Sequence, residues 1–131
     1  MHIAEPARAF AEMVRVTKCG GRIAVFDFDW ETFVIDSPHR ATTRRVVASF
    51  SDSMRSGRIG RQLRRMFLDA GMTEVAVACH LLIGGHLTHA QQAGVLDPAE
   101  VKRWWDDLRD ADAAGRFLAG FTAFIVSGKK A

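Results

Sequence analysis

The sequence has 131 residues, of which 48% are hydrophobic and 25% are charged, and its formal net charge is +3. A chain of this length forms one domain at most, and the apolar fraction is too high for an intrinsically disordered protein. No apolar run reaches the roughly 18 residues of a membrane span. Cys19 and Cys79 lack metal-ligand spacing, so we expect a cytoplasmic protein with reduced thiols.

The first helix is predicted from Pro6 to about Lys18. Proline suits the first turn of a helix, and apolar residues recur on one face of this segment. Gly20 and Gly21 follow, where a left-handed turn residue is favoured. The apolar run at positions 23–26 then predicts a strand that is buried on both faces.

Acidic and aromatic residues follow this strand directly. In an open α/β sheet, ligands bind at the carboxyl ends of the strands. Asp27, Asp29 and Trp30 are therefore candidates for a site. Two other interpretations remain open: the carboxylates are solvated or cap a helix, and Trp30 belongs to the core.

The middle of the chain is predicted to be helical. Positions 31–35 form an irregular or β-like link, and Ser37 caps a helix that begins at Pro38 and ends near Met54. A second helix from Ile59 to Ala70 shows apolar residues at helical spacing.

The two central helices and the link between them are rich in arginine. They form either an anion site or a solvated outer face. Arg61 stands apart because it follows Gly60 at a helix start. The arginines are Arg40, Arg44, Arg45, Arg55, Arg58, Arg61, Arg64 and Arg65.

The last third of the chain begins with a strand predicted at positions 73–83. A short helix at positions 88–94 precedes a helix that Asp97 caps and that carries Trp104 and Trp105. Adjacent tryptophans point in different directions, so we expect one in the core and one at a cavity rim or an interface. A final strand is predicted at positions 117–126. His86 and His89 lack a third ligand, so no metal site is predicted.

The segment EPARAFAEMVRVTKCGGRIAVFDFDW resembles class I S-adenosylmethionine-dependent methyltransferases of the small-molecule type related to quinone-biosynthesis enzymes. The similarity extends to FTAFIVSGKKA and covers nearly the whole chain, although Cys19 replaces a usual proline. It implies the C-terminal part of a Rossmann-like α/β fold with about three mixed strands and about five helices. The last strand would run antiparallel, between the strands at positions 22–27 and 74–82.

The resemblance also implies a function and a set of site residues. The cofactor would be S-adenosylmethionine and the substrate a small molecule. His2 would be the candidate catalytic base, although its position alone equally suits a frayed terminus. Asp27, Asp29, Trp30 and Arg61 would line the substrate cavity. No glycine-rich cofactor loop is recognisable, so no cofactor-binding residues are identified.

A chain with only these strands leaves the strand at positions 23–26 at the edge of its sheet. Bare apolar edges pair with other chains. We therefore expect a homodimer or larger oligomer, or a complementing N-terminal half, unless the chain is a fragment of a longer enzyme. The alternative function is a non-catalytic interaction or anion-binding module of the same fold. Nucleic acid is not an expected partner, because no aromatic residues interleave the arginines.

Overall fold

The computed structural model describes residues 3–83 and 97–131, and the structural statements that follow concern those residues. The described residues form four helices and three strands. None of these helices is long and apolar enough to cross a bilayer. In chain order the elements are α1 (Pro6–Val16), β1 (Arg22–Ile35), α2 (Arg40–Ser53), α3 (Ile59–Asp69), β2 (Thr73–Ile83), α4 (Pro98–Ala113) and β3 (Ala119–Lys129).

The three strands form one sheet in the order β1-β3-β2. β3 runs antiparallel to both neighbours, so the predicted position and direction of the last strand are confirmed. Because every neighbouring pair is antiparallel, the sheet of these residues is antiparallel rather than mixed. The short helix predicted at positions 88–94 lies outside the described residues, which hold four of the five expected helices.

Helices α1 and α3 cover one face of the sheet over β1 and β3, and we call it the covered face, although Val77 and Leu81 of β2 on that face are 41% and 58% exposed. Phe67 of α3 is fully buried, and its ring lies 4.6 Å from that of Phe10 in α1. Burying such side chains contributes about 1.5–3 kcal/mol each. The buried members of this cluster are Phe10, Ile23, Ile59, Leu63, Phe67, Met72 and Val126.

A second, smaller cluster joins α2 to α4. Trp104 is fully buried against Val46 and Leu108, and its indole N–H donates to the Thr43 hydroxyl at 2.9 Å. Trp105 is only half-buried. The expectation that one of the two tryptophans enters the core is confirmed by Trp104, while Trp105 packs against the same cluster.

The turn before β1 is hydrogen-bonded to the residue that follows β3. Gly20 adopts a φ of +77°, which favours glycine, and its N–H donates to the Lys130 carbonyl at 2.9 Å. The Lys130 ammonium donates to the carbonyls of Val14 and Thr17, both at 2.8 Å. A cation at the carbonyl end of a helix satisfies unpaired acceptors there, so Lys130 caps α1.

Two predictions about the middle of the chain are wrong. β1 does not end near position 27 but continues to Ile35, through a register shift between Asp29 and Val34. Within that bulge the Thr32 hydroxyl accepts the N–H of Thr122 at 2.8 Å and replaces a ladder bond. Helix α2 begins at Arg40 rather than at Pro38, and the Ser37 hydroxyl accepts the N–H of His39 at 3.2 Å.

The other side of the sheet carries exposed apolar residues, which we call the open face. Phe26, Leu82 and Ile125 are 46%, 38% and 36% exposed. The prediction of a first strand buried on both faces therefore fails at Phe26. The seven exposed side chains of its central part include no Asp, Glu, Lys or Arg, whereas Arg22, Glu74 and Lys129 lie on the same side at one end of the sheet. The members of the open face are Ala24, Phe26, Ala76, Ala78, His80, Leu82 and Ile125.

Candidate functional site

The candidate site lies where β1 meets the start of α3. The Asp29 side chain is fully buried on the covered face. Arg61, in the first turn of α3, donates from Nη2 to Asp29 Oδ1 at 2.7 Å and from Nε to Oδ2. This is a bidentate pair, the strongest geometry of an arginine with a carboxylate.

Gly60 makes this pairing possible. A Cβ atom there would lie 2.8 Å from the Phe28 carbonyl group and 2.8 Å from the Phe124 ring. Only a residue without a side chain lets α3 begin so close to β1. The close approach places Arg61 directly beside Asp29.

Two further residues extend the pair into a network. Glu31 accepts from Arg61 Nη1 at 2.9 Å, and its other oxygen lies 3.3 Å from Arg58 Nε. The N–H of Glu31 donates to Asp29 Oδ1 at 3.2 Å. We call Asp29, Glu31, Arg58 and Arg61 the acid–arginine network.

The network keeps Arg61 charged. The hydrogen bond to Asp29 raises the pKa of Arg61 despite partial desolvation, and the charges of Asp29 and Glu31 raise it further. Asp29 is inaccessible to solvent and both of its oxygens are engaged. It therefore positions Arg61 and Glu31 instead of meeting a ligand itself.

A first cleft of about 340 Å³ opens beside the network. Glu31 and Phe33 of β1 form one wall, and Arg44 of α2 stands on the other. This volume is at the lower end of small-molecule sites. An aromatic ring, a guanidinium and a carboxylate on facing walls suit a small molecule with a flat apolar part and polar substituents.

A second cleft, also of about 340 Å³, lies at the start of α3. Arg55 and Arg58 line it together with Ala4 and Pro6. Ser51 and Asp52 border both clefts, so the C-terminal half of α2 separates them.

The structure brings two of the predicted site residues together, namely Asp29 and Arg61. Asp27 is buried two residues before Asp29 on the same face, where its Oδ1 accepts the N–H of Phe28 at 2.8 Å. It belongs to neither cleft described above. His2 lies outside the described residues.

Trp30 points to the opposite side of the sheet from Asp29. Its ring lies 4.7 Å from that of Phe121 and 5.5 Å from that of Phe50 in α2. Trp30 is half-buried in this aromatic cluster, which closes the end of the open face. The interpretation as a packed residue fits these contacts better than a place beside Asp29.

Two residues of the site, Glu31 and Phe33, were absent from the predictions, and Arg44 was named only as one arginine of a possible anion site. Glu31 follows Asp29 by two residues, a spacing that keeps two strand residues on one side of a sheet. That signal was readable, but positions 31–35 were taken for a link. Nothing in the sequence indicated that Arg44 and Phe33 would face the same cleft.

The described parts of the chain provide no metal centre. They hold no group of three His, Cys, Asp or Glu side chains placed to bind one ion. His86 and His89 lie outside the described residues.

Comparison with known proteins gives one informative relative. No protein-family model matches the sequence. The chain is 37% identical over 139 aligned residues to an uncharacterized 37.1 kDa protein in transposon TN4556 of Streptomyces fradiae. The match covers 95% of this chain but only 39% of that relative. This chain therefore resembles one part of a considerably longer protein.

Proposed function

We propose that the chain is the C-terminal, substrate-side portion of an S-adenosylmethionine-dependent methyltransferase that acts on a small molecule. The sequence resemblance supports this proposal over nearly the whole chain. The acid–arginine network and the first cleft supply polar groups beside the end of the segment that carries the resemblance. The partial Rossmann-like fold of the methyltransferases belongs to the same proposal.

The observation that carries the proposal is the sheet order. β3 lies antiparallel between β1 and β2, as the resemblance implies for the final strand. The α1 helix, the turn at Gly20 and Gly21 and the strand β1 follow one another as in the methyltransferase segment. Helix, turn and strand in this sequence, together with that strand order, favour this family over an unrelated three-stranded domain.

The described residues do not fit the cofactor by themselves. Residues 3–83 and 97–131 contain no glycine-rich turn that leads from a strand into a helix. Asp29, a carboxylate near the middle of β1, is bound on both oxygens by Arg61. We therefore assign S-adenosylmethionine, the methyl donor, to polypeptide outside these residues and derive no transfer step on this chain.

The part assigned to this chain is to hold the acceptor substrate. Glu31 is fixed by Arg58 and Arg61, so its carboxylate has a defined position in the wall of the first cleft. A fixed wall orients the acceptor, and orientation is a large contribution to rates of group transfer. His2 remains the candidate base for an acceptor that carries a proton.

An anion-binding module is the second candidate. The second cleft favours it, because Arg55 and Arg58 line this cleft at the start of α3. Helix starts and arginines both attract anions. In that case the clefts bind anions and no methyl transfer takes place.

Titration calorimetry separates the two functions. We expect no heat of binding when S-adenosylmethionine is added to this chain alone. We expect one-to-one binding in the presence of the region of the Streptomyces fradiae relative that lies outside the match. ATP serves as the control ligand, because it shares the adenosine group but is a polyanion. Binding of ATP without S-adenosylmethionine under both conditions would contradict the methyltransferase and support the anion module.

A further inference from the structure

The open face and the outer edge of β1 adjoin one another, and both lack a cover in the described part of the chain. Among the strands that the structure describes, β1 has a neighbour only on its β3 side. Its outer edge is engaged at Trp30, whose N–H donates to the Gly57 carbonyl at 2.8 Å. The edge from Arg22 to Asp29 is thus available to a further strand.

The open face is apolar where a solvated sheet face is normally polar. In antiparallel sheets with one solvent-exposed face, apolar and polar residues alternate along each strand. Here Phe26 lies beside Ile125, and Ala78 lies on the other side of Ile125. An apolar surface of this kind, with the charged Arg22 and Lys129 at one end, is typical of an interaction site.

The area of the open face is too small for a stable dimer by itself. Strand spacing and residue rise give about 400 Å² for three strands of eight residues. A stable interface buries about 800 Å² on each partner. A partner that covers only the face would therefore bind weakly, whereas one that also pairs with the β1 edge would bury more.

A second copy of the chain cannot cover both surfaces with one symmetric contact. Pairing two β1 edges, whether parallel or antiparallel, leaves both open faces uncovered. Packing two open faces together leaves both β1 edges unpaired. A different polypeptide that contributes a strand followed or preceded by a helix covers both at once, since a helix is about 10 Å wide and lies flat on a sheet.

We infer that the open face and the β1 edge form one docking surface for such a strand–helix unit. The unit adds a strand along positions 22–29 and lays the apolar side of a helix over Phe26, Ile125 and Leu82. The relative from Streptomyces fradiae indicates the source, because most of its length lies outside the region that matches this chain. The partner is therefore polypeptide of the kind that the relative carries beyond the match.

The test is to co-express this chain with that region of the relative as two separate polypeptides, and to measure their association by sedimentation without S-adenosylmethionine. We expect a one-to-one complex. Phe26→Lys, and independently Leu82→Lys, should weaken it at least about tenfold, as loss of a buried apolar anchor does. Val16→Lys is the matched control. Val16 is 62% exposed on α1, the helix that packs on the covered face, so it lies away from the proposed docking surface. This substitution should leave the affinity within about twofold.

Three results would overturn the inference. The first is the absence of a complex when both polypeptides are folded by circular dichroism. The second is a stable dimer of this chain alone that Phe26→Lys dissociates, because a second copy then occupies the face. The third is a large fall in the melting temperature of the isolated chain in Phe26→Lys but not in Val16→Lys, because the chain then covers the face itself. Since cofactor binding is not measured, failure of the proposed methyltransferase function leaves this test intact.

Discussion

The two faces of the sheet carry similar residues but differ in what lies against them. On the covered face, Ile23 and Val126 are nearly inaccessible because α1 and α3 pack over them. On the open face, Phe26 and Ile125 belong to the same two strands and are substantially exposed. The contrast teaches that an apolar pattern shows which residues favour burial, but not which part of a polypeptide buries them.

The largest expected effect compares two phenylalanines on opposite sides of the sheet. Phe67→Ala should lower the free energy of unfolding by about 3–5 kcal/mol, because it leaves a cavity in the covered cluster. Phe26→Ala should cost about 1 kcal/mol or less, mainly through lower strand propensity. Urea denaturation of both variants measures the difference. Equal losses would mean that the isolated chain buries both faces.

The next effect concerns the ion pair between Asp29 and Arg61 on the covered face. Arg61→Met leaves the buried Asp29 carboxylate without its bidentate donor, and we expect a loss of about 1–3 kcal/mol. Adding Asp29→Asn to Arg61→Met should restore part of the lost stability, since it removes the buried carboxylate charge that no longer has a partner. Urea denaturation measures both steps.

Arg64→Met is the control for this pair. Arg64 is exposed on the same helix and should change the stability by no more than about 0.5 kcal/mol. If Arg61→Met behaved like Arg64→Met, Asp29 would not depend on its partner.

The smallest effect lies at the end of the open face where Arg22 pairs with Lys129. Glu74 contacts Arg22 of β1 and Lys129 of β3, and the charge of Arg22, then that of Lys129, lowers the pKa of Glu74. A lowered pKa stabilises the fold above the ordinary pKa of glutamate, and the gain is lost as the pH falls through the folded value.

Glu74→Gln should therefore lower the melting temperature slightly at pH 7. The difference should shrink at 1 M salt and vanish in strong acid, because exposed pairs are screened and need an ionised carboxylate. Melting curves in a pH series measure it. A difference that persisted in acid would point to backbone strain at Glu74, whose φ is +50°.

Local sequence signals predicted much of the fold. The limits of β2 agree with the prediction at positions 73–83, and the start of α4 after Asp97 agrees as well. The capping geometry explains the second success, because the Asp97 carboxylate accepts the N–H of Ala99 at 3.1 Å. Turns, caps and apolar spacing depend on neighbouring residues, so a single sequence contains them.

The failures arose where distant residues decide the outcome. The strand character of positions 31–35 depends on Thr32 replacing a ladder bond to Thr122, ninety positions away. Helix α2 begins at Arg40 in the structure, although Ser37 and Pro38 are typical of a helix start and predicted it two residues earlier. Neither outcome can be read from the residues on either side.

The candidate site was predicted only in part for the same reason. Asp29 and Arg61 were both named, yet nothing indicated that they bind each other across the gap between β1 and α3. That contact requires the close approach at Gly60, which the sequence shows only as a glycine at a helix start. Glu31 and Arg58 complete the network through contacts of the same long-range kind.

The bond from Trp30 to Gly57 has a consequence for how the protein behaves at high concentration. In the part of the chain that the structure describes, the two outer strands of the sheet have no further strand beside them. Sheets with such open edges tend to associate edge to edge into ribbons of unlimited length. The Gly57 carbonyl blocks one such edge partway along, and the irregular register near Glu74 distorts the other. Together they shorten the regular edge segments that a second chain could pair with. The two features therefore oppose the formation of fibrils.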